Sequence, residues 1–161
     1  AALRRGLGKT PGAAPEMFPI IMSFIPPKAF RAEEERYFLT ASLFGLHPKP
    51  GGSGNMGGHF ARLYREREEA DSIEKRFVAL LNSHFEDLPN HLRHAVSLLK
   101  SSEIPVDWNR LFKHLRHWDH ERRCIQKKWA ASFWSGSGAE SQDKKTAAAT
   151  PGENNSKHKE D

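Results

Sequence analysis

Apolar side chains in this chain recur at three- and four-residue steps, the spacing that aligns one face of an α-helix. Trp108, Leu111, Phe112, Leu115 and Trp118 form one such stripe, and Arg110, Lys113 and His117 fall on the opposite side. Ile125, Trp129 and Phe133 repeat the design. Arg123 and Lys127, four apart, are expected to sit one above the other on the far face of that helix. Upstream, Met56, Phe60, Leu63 and Tyr64 predict a helix over about 56–67, with Arg62 and Arg65 projecting away from its stripe. Phe77, Leu80, Leu81 and Phe85 predict the next, and Leu88, Leu92, Val96 and Leu99 the one after. No segment reads as a strand.

Cap and breaker residues divide these patterns. Leu3 to Gly8 is a short basic piece closed by Lys9-Thr10-Pro11-Gly12, and Glu16 to Ile25 reads as an apolar helix ended by Pro26-Pro27. Glu33, Glu34 and Glu35 open a helix where its macrodipole favours acids, with Tyr37, Ala41 and Phe44 as its expected buried edge. Gly45 and the loop 47–54 break the chain. Asp71 with Glu74 has the form of a capping box, Asp87 starts another helix, and Asp107 and Asp119 are expected to cap the last two. The fold class is therefore all-α, a compact bundle of about seven to eight helices. The 134 residues before the tail suffice for one unit or for two small bundles, 1–68 and 69–134, sharing an interface.

Beyond Trp134 hydrophobicity collapses into Ser, Gly, Ala and charged residues, so 135–161 is expected to be a disordered tail. Net charge is +5, but residues 135–161 hold four Lys against five acids, which leaves +6 on residues 1–134. Positive charge gathered on a folded body favours polyanions, nucleic acid or an anionic membrane. No apolar run approaches the about 20 residues of a membrane span, and no secretory signal core opens the chain. One cysteine, Cys124, excludes an internal disulfide and fits a reducing cytoplasm.

Three motif-like features carry less than they first suggest. Gly52-Ser53-Gly54-Asn55-Met56-Gly57 matches a dinucleotide-binding glycine pattern, but a proline-rich loop precedes it where that fingerprint needs a strand, so no cofactor is expected. His114, His117 and His120 with Cys124 invite a metal, yet three-residue steps spiral around a helix, and solvent-facing or phosphate-contacting roles fit better. No carboxylate pair, nucleophile–base set or phosphate loop marks a catalyst. The expectation is a non-enzyme without metal.

Between Val106 and Trp134 all four tryptophans accompany seven Arg/Lys and only three acids. Ile104-Pro105-Val106-Asp107-Trp108, then Leu111, Leu115 and Trp118, and then Trp129-Ala130-Ala131-Ser132-Phe133-Trp134 resemble the CasB family, the small subunit of the type I-E CRISPR surveillance complex Cascade. Leu3-Arg4-Arg5, Gly58-His59-Phe60-Ala61-Arg62-Leu63 and Glu74-Lys75-Arg76-Phe77 with Leu80-Leu81 follow the family's order, so the resemblance spans Leu3 to Trp134. The family usually has a helical segment upstream of the point where this sequence begins, so an N-terminal truncation is expected. The tail has no family counterpart.

The resemblance implies an all-helical, non-catalytic, cytoplasmic subunit with guide RNA, target DNA including the displaced strand, and other Cascade subunits as partners. Two copies per assembly, in contact with each other, are also implied. Arg4, Arg5, Arg62, Arg76 and Arg123 lie in or beside matching segments, and Lys113 occupies a basic position on the helix after Asp107-Trp108. Arg65, Arg93, Arg116 and Lys127 join them from surface geometry alone. Arg76 fits a structural ion pair with Glu74 equally well. Trp108, Trp118 and Trp129 are expected in the core, whereas Trp134 lies near the cationic face and suits a base, a neighbouring subunit or the flank of the tail. A helix-turn-helix regulator and a helical adaptor for an acidic partner are the alternative classes. Against the former, the cations are spread over several helices instead of gathered on one recognition helix.

Overall fold

The computed structural model describes residues 1–135. Two 3-10 turns, Ala2–Gly6 and Pro15–Met17, precede seven α-helices: α1 (Phe18–Ile21), α2 (Arg31–Leu46), α3 (Met56–Glu66), α4 (Ala70–Asn82), α5 (Leu88–Ser101), α6 (Trp108–Leu115) and α7 (Cys124–Trp134). No strand occurs among the described residues. The tail expectation concerns residues almost wholly outside that range.

The core follows the helical stripes. Leu88, Leu92, Val96 and Leu99 of α5 are fully buried, as are Phe60 and Leu63 of α3, Phe77 of α4, Leu111 and Leu115 of α6, and Trp129 of α7. α3 lies against α7 and α4, while α2 lies against the first 3-10 turn, α5 and α6. Ala14, Met17, Ile21 and Phe38 form a smaller cluster at the N-terminal side.

Two glycines permit the closest of these approaches. A Cβ on Gly57 would lie 1.9 Å from the carbonyl oxygen of Trp129, so α3 reaches the backbone of α7 only because residue 57 has no side chain. A Cβ on Gly52 would lie 2.2 Å from the carbonyl of Val106. The glycine-rich stretch that imitates a dinucleotide motif thus serves chain-to-chain packing. Asn55 caps α3 by accepting from the Gly58 N–H at 3.0 Å, and its amide donates to Ser132 Oγ at 2.8 Å, tying the same two helices.

Several local expectations are corrected. The apolar segment 16–25 is a 3-10 turn followed by a four-residue helix, with Met17 and Ile21 buried one helical turn apart and Phe18, Ile20, Met22 and Phe24 exposed. The buried edge of α2 is Phe38, Leu39, Ser42 and Leu43; Tyr37 and Ala41 pack partly buried against the smaller cluster, and Phe44 is exposed. Apolar residues surround most of the α2 circumference, so periodicity alone cannot choose its inner face. Gly45 does not break the helix, which runs to Leu46; a Cβ there would meet Leu3 Cβ at 2.8 Å. The Asp71/Glu74 capping box does not form, because α4 begins at Ala70 and Glu74 accepts from the Trp134 indole at 3.1 Å.

Asp107 does cap α6, accepting from the Arg110 N–H at 3.0 Å. Asp87 occupies the N-cap of α5 without a side-chain bond. Asp119 caps nothing: α7 starts at Cys124 after an N-cap Arg123 in the left-handed region (φ 52°). The Asp119 carboxylate instead receives Arg36 of α2 at 2.8 Å. Arg36 is only 6% exposed, donates to the Leu115 carbonyl at 2.8 Å and to the Ala32 carbonyl, and lies 4.0 Å over the Phe85 ring. A charge so withdrawn from water needs all of these partners.

Gly57→Ala should therefore cost about 3 kcal/mol or more, since the intruding methyl meets backbone that cannot rotate away. Gly58→Ala, whose Cβ would have only Asn55 Oδ1 nearby at 4.0 Å, should be neutral or stabilising by roughly 0.5–1 kcal/mol. Urea melts of the two variants check the contrast; equal stabilities would show that α3 and α7 do not approach so closely at Gly57.

Candidate nucleic-acid interface

All ten basic residues singled out from the sequence are at least partly exposed, but they do different things. Arg62 pairs with Glu66 one turn along α3 at 2.8 Å, and Arg116 pairs with Glu33 of α2 at 3.1 Å. Arg123 donates to the carbonyl of Leu81 at the end of α4. It precedes α7 instead of stacking above Lys127, so the expected two-residue stripe on that helix is corrected: the left-handed turn at 123 swings its side chain towards α4. Arg4, Arg5, Arg65, Arg76, Arg93, Lys113 and Lys127 have no carboxylate partner among the described residues. Glu74, the alternative partner for Arg76, is engaged by Trp134.

Two cavities gather some of these cations. Arg62 and Arg65 line a concavity of about 340 Å³ together with His59, Gly58, Gly51 and Ser132. Here α3 presents its polar flank because its apolar stripe is occupied by α4 and α7, and the small residues of loop 51–54 leave the space open. Arg93 lines a separate cavity between α5 and the loop after the first 3-10 turn. In sequence Lys9 and Thr10 have only the form of a closing turn; folding brings them to the wall of this cavity.

Two histidines near the basic residues are held neutral. The His59 ring accepts from the Asp107 N–H at 3.2 Å through Nε2, and burial pushes its pKa from 6.5 to about 4, with Arg110 and Arg62 adding to the shift and Asp107 opposing it. His114 Nδ1 accepts from the Trp129 indole at 2.9 Å, and burial followed by Lys128 and Arg110 lowers it likewise to about 4. His120 Nδ1 accepts from the Arg122 N–H at 3.1 Å and faces Cys124 Sγ at 3.6 Å. These histidines accept bonds from protein groups, and no cluster of three or more metal-binding side chains occurs among the described residues.

The tryptophans divide largely as expected. Trp118 and Trp129 are buried, with ring centroids 5.0 Å apart. Trp108 is partly buried against the core, its indole N–H enclosed without a partner. Trp134 is 51% exposed, but it packs on Phe77 and Phe133 and donates to Glu74, so it is anchored to α4.

A separate face is apolar. Ile20, Phe24, Phe44, Trp108 and Phe112 line a groove of about 410 Å³, and Phe30, 82% exposed, lies in the segment before α2. None of the ten basic residues lines this groove.

The family model for CRISPR-associated protein Cse2 matches residues 1–134. The chain belongs to the Cse2 family. It is 35% identical to the CRISPR-associated protein Cse2 of Thermus thermophilus over 147 residues, covering 90% of this chain and 83% of the relative. Its fold is similar to the crystal structure of CasB from Thermus thermophilus, with a TM-score of 0.73 and 31% identity over 84% of each chain. CasB from M. ruber gives a TM-score of 0.70 at 29% identity, over 91% of this chain and 87% of the other. A chain of a CRISPR RNA-guided surveillance complex shares the fold at a TM-score of 0.73 and 22% identity, over 91% of this chain and 85% of that one. The resemblance to CasB read from Leu3 to Trp134 is thereby confirmed.

The histidine geometry makes a pH prediction. Because His59 and His114 have folded pKa values of about 4 against 6.5 when exposed, the unfolded chain binds more protons between those values. Their contribution to stability is fully present above about pH 6.5 and is lost as pH falls towards 4. Denaturation midpoints across that range should decline steadily. His114→Gln keeps an acceptor for Trp129 but cannot titrate, so its decline should be shallower; a variant with an unchanged slope would refute the assignment.

Proposed function

We propose that this chain is a nucleic-acid-binding small subunit of a CRISPR RNA-guided surveillance complex. It steadies the guide RNA–target DNA duplex and the displaced strand through backbone contacts that do not read sequence, and it catalyses no reaction. The observation that carries this reading is that eight of the ten basic candidates have no carboxylate partner among the described residues, in a chain of the Cse2 family. Unpaired Arg and Lys distributed over several helices suit phosphates along a strand, and such contacts position a protein without specifying bases.

Energetics supports that division of labour. Replacing a DNA duplex by a guide–target heteroduplex is nearly balanced, so protein contacts to the backbone are enough to tip it while pairing supplies specificity. The protein partners belong to the other face. Ile20, Phe24 and Phe44 line an exposed apolar groove that suits contact with another protein subunit, and the assembly holds two copies of this chain in contact with each other. The work takes place in the cytoplasm, where guide RNA and invading DNA meet.

The decisive measurement is target binding by the assembled complex across a salt series. Arg62→Ala with Arg65→Ala should leave assembly and melting temperature nearly unchanged, because both side chains are exposed and the Arg62–Glu66 pair is a surface pair. It should weaken binding and reduce the logarithmic salt slope by roughly 1.5 if each arginine meets one phosphate. Lys127→Ala should remove about half of that, whereas Arg123→Ala should also lower stability by about 1 kcal/mol through its lost bond to the Leu81 carbonyl. Normal binding with an unchanged slope in the arginine pair would sink this interface. A preference of about 1,000-fold for one sequence by the isolated chain would instead favour a helix-turn-helix reader.

A further inference from the structure

The loop after the first 3-10 turn holds Gly8 at φ 77° and Gly12 at φ 88°, left-handed conformations that turn it back over the start of α5. Between loop and helix lies a cavity of about 220 Å³, walled on its polar side by Lys9, Thr10, Asn90, Arg93 and Glu86. Gly8 admits the guanidinium: a Cβ there would stand 2.9 Å from Arg93 Nη1. Arg93 is partly buried, yet it makes no ion pair among the described residues, not even with Glu86 on the same wall.

A guanidinium is always charged and offers five donors in a planar fork, and Arg93 lines the cavity with that fork uncommitted to any carboxylate among the described residues. The fork matches the oxygens of a phosphate. The cavity is smaller than the roughly 300–1,000 Å³ of pockets that enclose whole small molecules, and therefore suits a chemical group better than a free ligand. Lys9 supplies a second cation and Thr10 a hydroxyl donor. Resting on the backbone-binding function above, we propose that this cavity is a phosphate seat. One phosphodiester of the bound strand enters between the Gly8 loop and α5 and is held by Arg93 and Lys9. Glu86 opposes any anion there, so the seat is weak for a lone phosphate and depends on the strand's other contacts to fill it. It sets the register of the strand on the protein without reading a base.

The test is salt-titrated target binding by the assembled complex carrying Arg93→Ala, Arg93→Lys or Glu86→Gln. Arg93→Ala should weaken binding about tenfold at low salt and reduce the logarithmic slope by about 0.7 to 0.9. Arg93→Lys should keep the slope but recover only part of the affinity, since it retains the charge without the fork. Glu86→Gln should tighten binding by roughly twofold to fivefold, an effect no merely structural role for this wall provides. Arg62→Ala with Arg65→Ala is the reference. If that pair flattens the slope and Arg93→Ala does not, the seat is wrong and the wider function stands; if neither does, the function itself fails. The unmodified full chain gives a readout free of folding effects. On titration with a short oligothymidylate, the Arg93 Nε–H and Gly8 amide resonances should shift more than with inorganic phosphate alone. Shifts confined to Arg62 and Arg65 would overturn the proposal.

Discussion

The contact on which the rest of the structure depends is the approach of α3 to the backbone of α7, where Gly57 meets the Trp129 carbonyl. Trp129 is fully buried, its ring lies beside Trp118, and its indole N–H is held by His114 of α6. One residue therefore connects α3, α6, α7 and the turn between the last two. Asn55 reinforces the junction by capping α3 with its carbonyl while its amide reaches Ser132. A side chain at 57 would separate the helices and loosen each of these bonds together, because close-packed interiors do not deform gradually.

A second constraint fixes α2. Arg36, buried under Phe85, ties α2 to the Leu115 carbonyl at the end of α6 and to Asp119 beyond it. Polar groups here act as register pins between elements far apart in sequence. With α2 and α3 held this way, Arg62 and Arg65 stand on a flank that no other helix covers, and the Gly8 loop is left to roof Arg93. The surface thus separates into basic concavities and an apolar groove, the two faces that the proposed function assigns to nucleic acid and to protein partners.

Residue spacing is enough to foresee α5 and the inward residues of α6 and α7, whereas the stripe from Phe77 to Phe85 overruns α4, which ends at Asn82 and leaves Leu81 and Phe85 only partly buried. Leu88, Leu92, Val96 and Leu99 show why: a single clean stripe admits only one burial face. Asp107 was legible as a cap because its bond is to a backbone group three residues away, a purely local matter. The order of aromatic and basic segments likewise carried the family. Local rules failed where a residue's partner lies far along the chain. Asp119 has the form of a cap and serves Arg36; Glu74 has the form of a capping-box residue and serves Trp134.

Which residues are basic, and that they outnumber the acids on residues 1–134, was determined by the sequence alone. Whether each cation is spent or available was decided only by the tertiary structure. Arg123 is committed to the Leu81 carbonyl and Arg116 to Glu33, whereas Arg65 and Arg93 line open cavities without a carboxylate partner among the described residues. Helical periodicity is a property of neighbouring residues and survives in one dimension. The pairing of charges, and the exposure that pairing leaves behind, depends on contacts between segments tens of residues apart, which no local pattern encodes.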